Sequence, residues 1–140
     1  MASLDFREDF AAAIQSGLKS RTLNCCSRWA ENRRIMGSPF AGPYSYGHHP
    51  WARAIHDSKA AYTVAMKAAQ TGVTEVAINR AFYTLDKLKR DVLYVLPTST
   101  GASDFSKARF AGALNLSPYL KALFTDTNTV GLKSIPVAAR

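Results

Sequence analysis

From Lys67 to Thr74 the chain reads Lys-Ala-Ala-Gln-Thr-Gly-Val-Thr, and residues of these types at this spacing could hold a phosphate chain. A phosphate loop needs backbone N–H groups at a helix N-terminus, a cation beside them and a hydroxyl for a divalent metal. The usual pattern is G-x-x-x-x-G-K-[ST]. Here Gly72 and Thr74 occupy the final glycine and hydroxyl positions, Val73 replaces the lysine, and Lys67 stands where the first glycine would be. The ammonium has moved from the end of the loop to its start and still flanks the amides. The nucleotide-binding set on this reading is Lys67, Gln70, Thr71, Gly72, Val73 and Thr74. Lys67 would reach the β/γ-phosphates of ATP, and Thr74 would offer its hydroxyl to Mg²⁺.

Such a loop must lie between a strand and a helix. Ala61 to Met66 is a short β-prone run, and Val76 to Leu88 carries Ala77, Ala81 and Leu85 at four-residue spacing, the period of a helix face. Asp91 to Leu96, with Val92, Leu93, Val95 and Leu96, reads as a second strand buried on both faces. Pro50 can start a helix over Trp51 to Lys59, Asp104 can cap one through Phe110, and Ser117-Pro118 is a further helix start. The alternation predicts an α/β fold, a partial P-loop-type parallel sheet with crossover helices over residues 37–140. A helical segment over residues 1–36 precedes it. There Phe6, Phe10, Ile14 and Leu18 recur every four residues, and a second helix is expected over residues 22–36. Residues 37–50, rich in Gly, Pro and aromatics, are expected as a loop that could stack on a flat group.

The net charge of +8 over 140 residues favours a polyanionic partner, double-stranded DNA. Arg28, Arg33, Arg34 and Arg53 lie in a stretch with little acid to offset them and are the candidate DNA contacts. No run of about 18 apolar residues indicates a membrane span. The adjacent Cys25 and Cys26 have neither disulfide nor zinc spacing, and they read as idle thiols. His48-His49 lacks a third metal ligand. Asp57, beside His56 and Ser58, does not make a triad, because adjacent helical side chains do not face each other. Glu75 is the one carboxylate close to the loop, where a first-turn charge suits the helix dipole.

Four segments in order resemble the N-terminal part of the large subunit of tailed-phage terminases, the DNA-packaging ATPases, of the lambda-like kind. They are Ser27 to Arg34; Gly42 to Tyr46 with His49-Pro50-Trp51 and Ile55; Lys67 to Glu75; and Val92 to Thr98, followed by Asp104-Phe105-Ser106, Arg109-Phe110 and Leu116 to Leu120. Order and spacing match over roughly residues 20–132. The family tolerates a phosphate-loop lysine at the start of the loop, as Lys67 is here. The resemblance implies ATP and Mg²⁺ as cofactors, Tyr44 or Tyr46 near the adenine, and small terminase subunit docking on residues 1–36. It also implies DNA, and in the wider motor the portal, as partners, and the cytoplasm of an infected bacterium as the location.

The resemblance further implies a Walker B strand ending in Asp-Glu, then a nuclease domain. Ser134 to Ala139 resembles the approach to that acidic pair, and the sequence reaches Arg140 without it. The expectation is therefore a truncated or internally deleted terminase that does not hydrolyse ATP alone. An alternative is a catalytically dead, terminase-derived decoy that binds DNA or motor partners. Without the missing strand, residues 61–66 and 91–96 are expected to present an open edge that invites self-association.

Overall fold

The computed structural model describes residues 10–11, 14–15, 23–124, 129–132 and 134–135. Of the expected N-terminal helix, residues 10–11 and 14–15 are helical; the rest of it, and the segment after Ile135, lie outside the described residues.

Helix α1 spans Cys26–Arg33, shorter than the 22–36 expected, because the chain turns extended at Arg34 and enters strand β1, Ile35–Met36. β1 pairs antiparallel with β2, Gly42–Pro43, in the register Ile35 to Pro43 and Met36 to Gly42. Helix α2, Ala52–Asp57, follows Pro50 as anticipated. Helix α3, Val73–Tyr83, runs into a wider π-helical turn, Thr84–Leu88, which ends at the left-handed Lys89. The next helix begins earlier than expected. α4, Ser99–Phe105, is capped by Thr98, whose side chain accepts from the Gly101 amide at 3.1 Å; Asp104 lies inside it. A π-helical turn, Ser106–Phe110, joins α4 to α5, Ala111–Leu116. Pro118 opens α6, Pro118–Leu123, at the first helical position, where its missing N–H costs nothing.

Helices α1, α2 and α3 pack on one another around Trp29, Ile78 and Phe82, with Leu120 of α6 also fully buried. Edge-to-face contacts of Phe82 with Phe110 and Phe124, centroids 5.4 and 5.5 Å apart, extend the core toward the C-terminal helices. Carboxylates set the helix positions. Asp57 of α2 accepts from the Ser27 amide at 2.9 Å and hydroxyl at 2.6 Å, so it caps α1 from another helix. Buried Asp86 accepts from Trp29 Nε1 at 2.6 Å and from the Tyr119 hydroxyl at 2.9 Å.

Arg34 joins most of these elements. Its side chain is 2% exposed. Nη2 donates to Glu75 Oε2 at 2.7 Å, Nε to Asn79 Oδ1 at 2.7 Å, and Nη1 to the carbonyls of Ile35 and Ala113 at 3.3 and 3.4 Å. Burial pulls its pKa below the ordinary arginine value, and Glu75 pulls it back. Ser117 completes the joint. Its hydroxyl accepts from the Ile35 amide at 3.0 Å rather than capping α6.

The two expected central strands are not formed. Among the described residues the antiparallel β1–β2 pair is the whole sheet, and the expected parallel sheet is not present. Residues 61–66 and 92–96 form no ladder with any other described residues. Tyr62, Val64 and Leu93 are 91%, 97% and 88% exposed. A strand exists only through neighbours that accept its N–H and C=O groups and cover its faces, and here no described segment supplies them.

Two outcomes follow from this packing. Arg34→Ala removes the hydrogen bonds to Glu75, Asn79, Ile35 and Ala113 and leaves the Glu75 carboxylate, 18% exposed, without its closest cation. It is expected to lower stability by roughly 3–5 kcal/mol, measured by urea unfolding; a loss under about 1 kcal/mol would show that the network is not structural. The uncovered apolar rows at Tyr62, Val64, Leu93 and Val95 should drive concentration-dependent association. Light scattering should show growth with concentration that Val64→Lys with Leu93→Lys suppresses. A wild-type monomer at high concentration would refute it.

Candidate nucleotide site

The chain from Lys67 reaches α3 through a tight turn. Gln70 and Gly72 have φ of 57° and 73°, two left-handed positions within three residues. The Thr71 hydroxyl donates to the Ala68 carbonyl at 3.2 Å, and the Val76 amide donates to the Gly72 carbonyl at 3.1 Å, opening the helix. Gly72 is required twice over. Its backbone is one that side chains rarely adopt, and a Cβ there would sit 2.8 Å from His49 Cδ2. Val73, Thr74 and Glu75 form the first turn of α3, whose leading amides have no intrahelical acceptor.

The structure therefore brings Gln70, Thr71, Gly72, Val73 and Thr74 together at the N-terminus of an 11-residue helix, with exposed Lys67 on the approach. The approach is a loop where the motif expects a strand. A groove of about 340 Å³ runs along it, lined by Trp51, Ile55, residues 63–66, Lys67, Ala68, Thr71 and Val73. His49 touches both sides of the site: its ring lies against Gly72 and 5.2 Å from the Trp51 ring. His49 Nδ1 is a buried nitrogen with no hydrogen-bond partner among the described residues.

Charge converges on the first turn. Glu75 meets Arg34 and, at 3.8 Å, Arg109 Nη1, whose side chain is largely exposed. A carboxylate held this way is a structural counter-ion rather than a base. Its pairing with buried Arg34 was not legible from charge runs. The one available hint was that Glu75 and Asn79, four apart, share a helix face.

Other expected site residues lie elsewhere. Tyr44 and Tyr46 are core residues, packed edge-on to each other and to buried His56 at 5.3 to 5.6 Å, so neither offers a free ring face to adenine. Burial raises the Tyr44 pKa to about 12. His56 is neutral in character. Its Nδ1 lies 2.8 Å from the Ala52 carbonyl and its Nε2 3.2 Å from Asn79 Nδ2, and desolvation lowers its pKa. Of the expected DNA contacts, Arg34 is inside the protein, which rules out that role. Arg33 lies half-buried with its guanidinium 4.0 Å from the Tyr119 centroid. Arg53 pairs with Glu31 at 2.7 Å and covers Tyr46, yet is 46% exposed. Arg28 is exposed. Cys26 is buried, and desolvation raises its thiol pKa to about 12, which keeps it protonated. No group of three His, Cys, Asp or Glu among the described residues could hold a metal by itself, and no helix among them is long and apolar enough to cross a membrane.

No curated protein and no solved structure gives a significant match to this sequence. A comparison with protein-family profiles matches residues 38–136 to the phage terminase large subunit gpA, ATPase domain. That span takes in the β1–β2 turn, the Lys67–Thr74 loop and every helix from α2 to α6. The turn at Gly72 thus lies within the matched span, and the chain belongs to the ATPase-domain family of the phage terminase large subunit gpA.

Proposed function

We propose that this chain is the nucleotide-binding part of a phage DNA-packaging motor, holding the β- and γ-phosphates of ATP on the loop from Lys67 to Thr74. The observation that supports this reading best is the left-handed Gly72 turn feeding amides into α3, in a chain of an ATPase-domain family. Lys67 is the cation, moved to the start of the loop, and exposed Arg109 beside Glu75 adds a second positive group near the first helical turn. Mg²⁺ fits only as a shared ion. Thr74 gives one hydroxyl, and with no carboxylate cluster among the described residues the phosphates and water must fill the other positions, which is how Mg²⁺ is commonly held. Bound there, the ion would neutralise phosphate charge.

Residues 61–66 and 91–96 belong, on this reading, to a P-loop-type parallel sheet, and they pair once neighbouring strands cover them. The basic surface, with Arg28 and Arg53 exposed on it, contacts the double-stranded DNA being packaged in the cytoplasm of the infected cell. Residues 1–36 dock the small terminase subunit, and the portal is the further partner of the assembled motor.

Lys67→Ala is expected to weaken ATP binding by roughly 1.5–3 kcal/mol, the worth of a charge-assisted phosphate interaction, measured by calorimetry with Mg²⁺. Val73→Lys, which restores the usual lysine position, should recover binding in that background. Unchanged affinity in Lys67→Ala would remove the displaced lysine from the site. DNA binding should fall steeply with salt, and Arg28→Ala with Arg53→Ala should reduce the log–log slope by about 1.8, near 0.9 for each phosphate that is no longer neutralised. An unchanged slope would place the DNA surface elsewhere.

A further inference from the structure

Arg34 dictates the protonation of a second buried group. A guanidinium only donates, so the 2.7 Å contact from Arg34 Nε falls on Asn79 Oδ1, and the Asn79 amide nitrogen faces His56 Nε2 at 3.2 Å. Nε2 therefore accepts and carries no proton. The other ring nitrogen, Nδ1, bears the hydrogen and donates it to the Ala52 carbonyl at 2.8 Å. The network thus admits one neutral tautomer of His56. We propose that His56 is a proton-sensitive latch on the Arg34 joint. Its neutral imidazole locks Asn79 and, through Arg34 and Glu75, the first turn of α3; its imidazolium releases them.

Both nitrogens of an imidazolium donate. Protonation at Nε2 sets an N–H against the Asn79 amide N–H groups. Turning the amide over satisfies His56 but sets those same groups against Arg34 Nε–H. Either way two donors meet in the core, where His56 is 2% and Asn79 0% exposed. The charged groups around His56 are already committed. On its own helix, Asp57 accepts from the Ser27 amide and hydroxyl, and Arg53 pairs with Glu31. From α3, Arg80 donates to the Ile55 carbonyl at 3.0 Å and Glu75 accepts from Arg34 at 2.7 Å. Cys26 of α1 is a protonated thiol. Tyr44 and Tyr46 meet the imidazole edge-on. Burial, the largest influence, holds the His56 pKa below the ordinary histidine value; the Ala52 carbonyl and Asp57 oppose it, and Arg80 and Arg53 add to it.

The folded state thus disfavours the charged imidazole more than the unfolded chain does. Its contribution to stability is complete above about pH 6.5 and is lost as pH falls below that value. The 140-residue chain is unfolded in urea from about pH 8 to about pH 5, the range of histidine titration, and its imidazoles are followed by nitrogen NMR. Relative to His56→Gln, which keeps His48 and His49, the wild-type unfolding constant should rise on acidification, approaching about tenfold per pH unit, the slope for one proton. Asn79→Asp should reverse the sign. A carboxylate accepts from Arg34 Nε and His56 Nε2–H together and favours the imidazolium, so this variant should gain stability relative to wild type as pH falls. The wild-type spectra should place the His56 hydrogen on Nδ1 at neutral pH, and the Arg34 Nε–H and Gly72 amide signals should move with its protonation. If His56→Gln does not fold, the tautomer and the reversal in Asn79→Asp carry the test. An Nε2–H tautomer, equal pH slopes in wild type and His56→Gln, or an Asn79→Asp slope as steep as that of wild type would overturn the latch. Protonation that leaves the Arg34 and Gly72 signals in place would overturn its reach to α3.

Discussion

A single buried guanidinium organises this protein. An arginine carries five N–H donors and cannot shed its charge, so it can enter a core only where acceptors surround it. Arg34 meets that demand by drawing in a carboxylate, a side-chain amide and two backbone carbonyls from separate parts of the chain. Satisfying it fixes the end of α1, the start of β1, the first turn of α3 and the first turn of α5 relative to one another. Lysine, with three donors on a point charge, could not serve all four directions. The same interaction sets the geometry of the candidate site, because Glu75 lies in the turn that follows Gly72.

The Lys67–Thr74 segment is consequently anchored on one side only. Its helical end is held by Glu75, by Asn79 one turn on and by His49 against Gly72. Its leading end, where Lys67 sits, continues from a segment with no strand partner. Thr74 and the helix amides are therefore preorganised, and Lys67 is the group whose position depends on what covers residues 61–66.

Three carboxylates are committed to contacts within the fold. Asp57 caps α1, Glu75 neutralises Arg34, and Asp86 receives Trp29 and Tyr119. Each satisfies donors that would otherwise be buried unpaired, at a cost of about 1–3 kcal/mol apiece. The chain as a whole carries a net charge of +8, the sign that favours long-range attraction to a polyanion.

The sequence by itself determined the local pieces. The four-residue apolar period in α3, proline at the start of α6 and glycine at the left-handed turn before α3 act through backbone sterics and neighbouring residues, so their outcome was legible without the fold. The turn from Gln70 into α3 was legible for the same reason: its residues are neighbours in the chain. Tertiary structure decided everything that depends on a distant partner. Arg34 looked like one more surface cation until Glu75 and Asn79, 41 and 45 residues away, made the interior habitable for it. Tyr44 and Tyr46 looked like loop aromatics until the hairpin folded them onto His56. The apolar runs at 61–66 and 91–96 looked like strands, yet β structure is a property of a pair, and no described segment pairs with them. Helices close their own hydrogen bonds and can be read from one stretch of chain, whereas buried charges and strands exist only where another stretch supplies the complementary group.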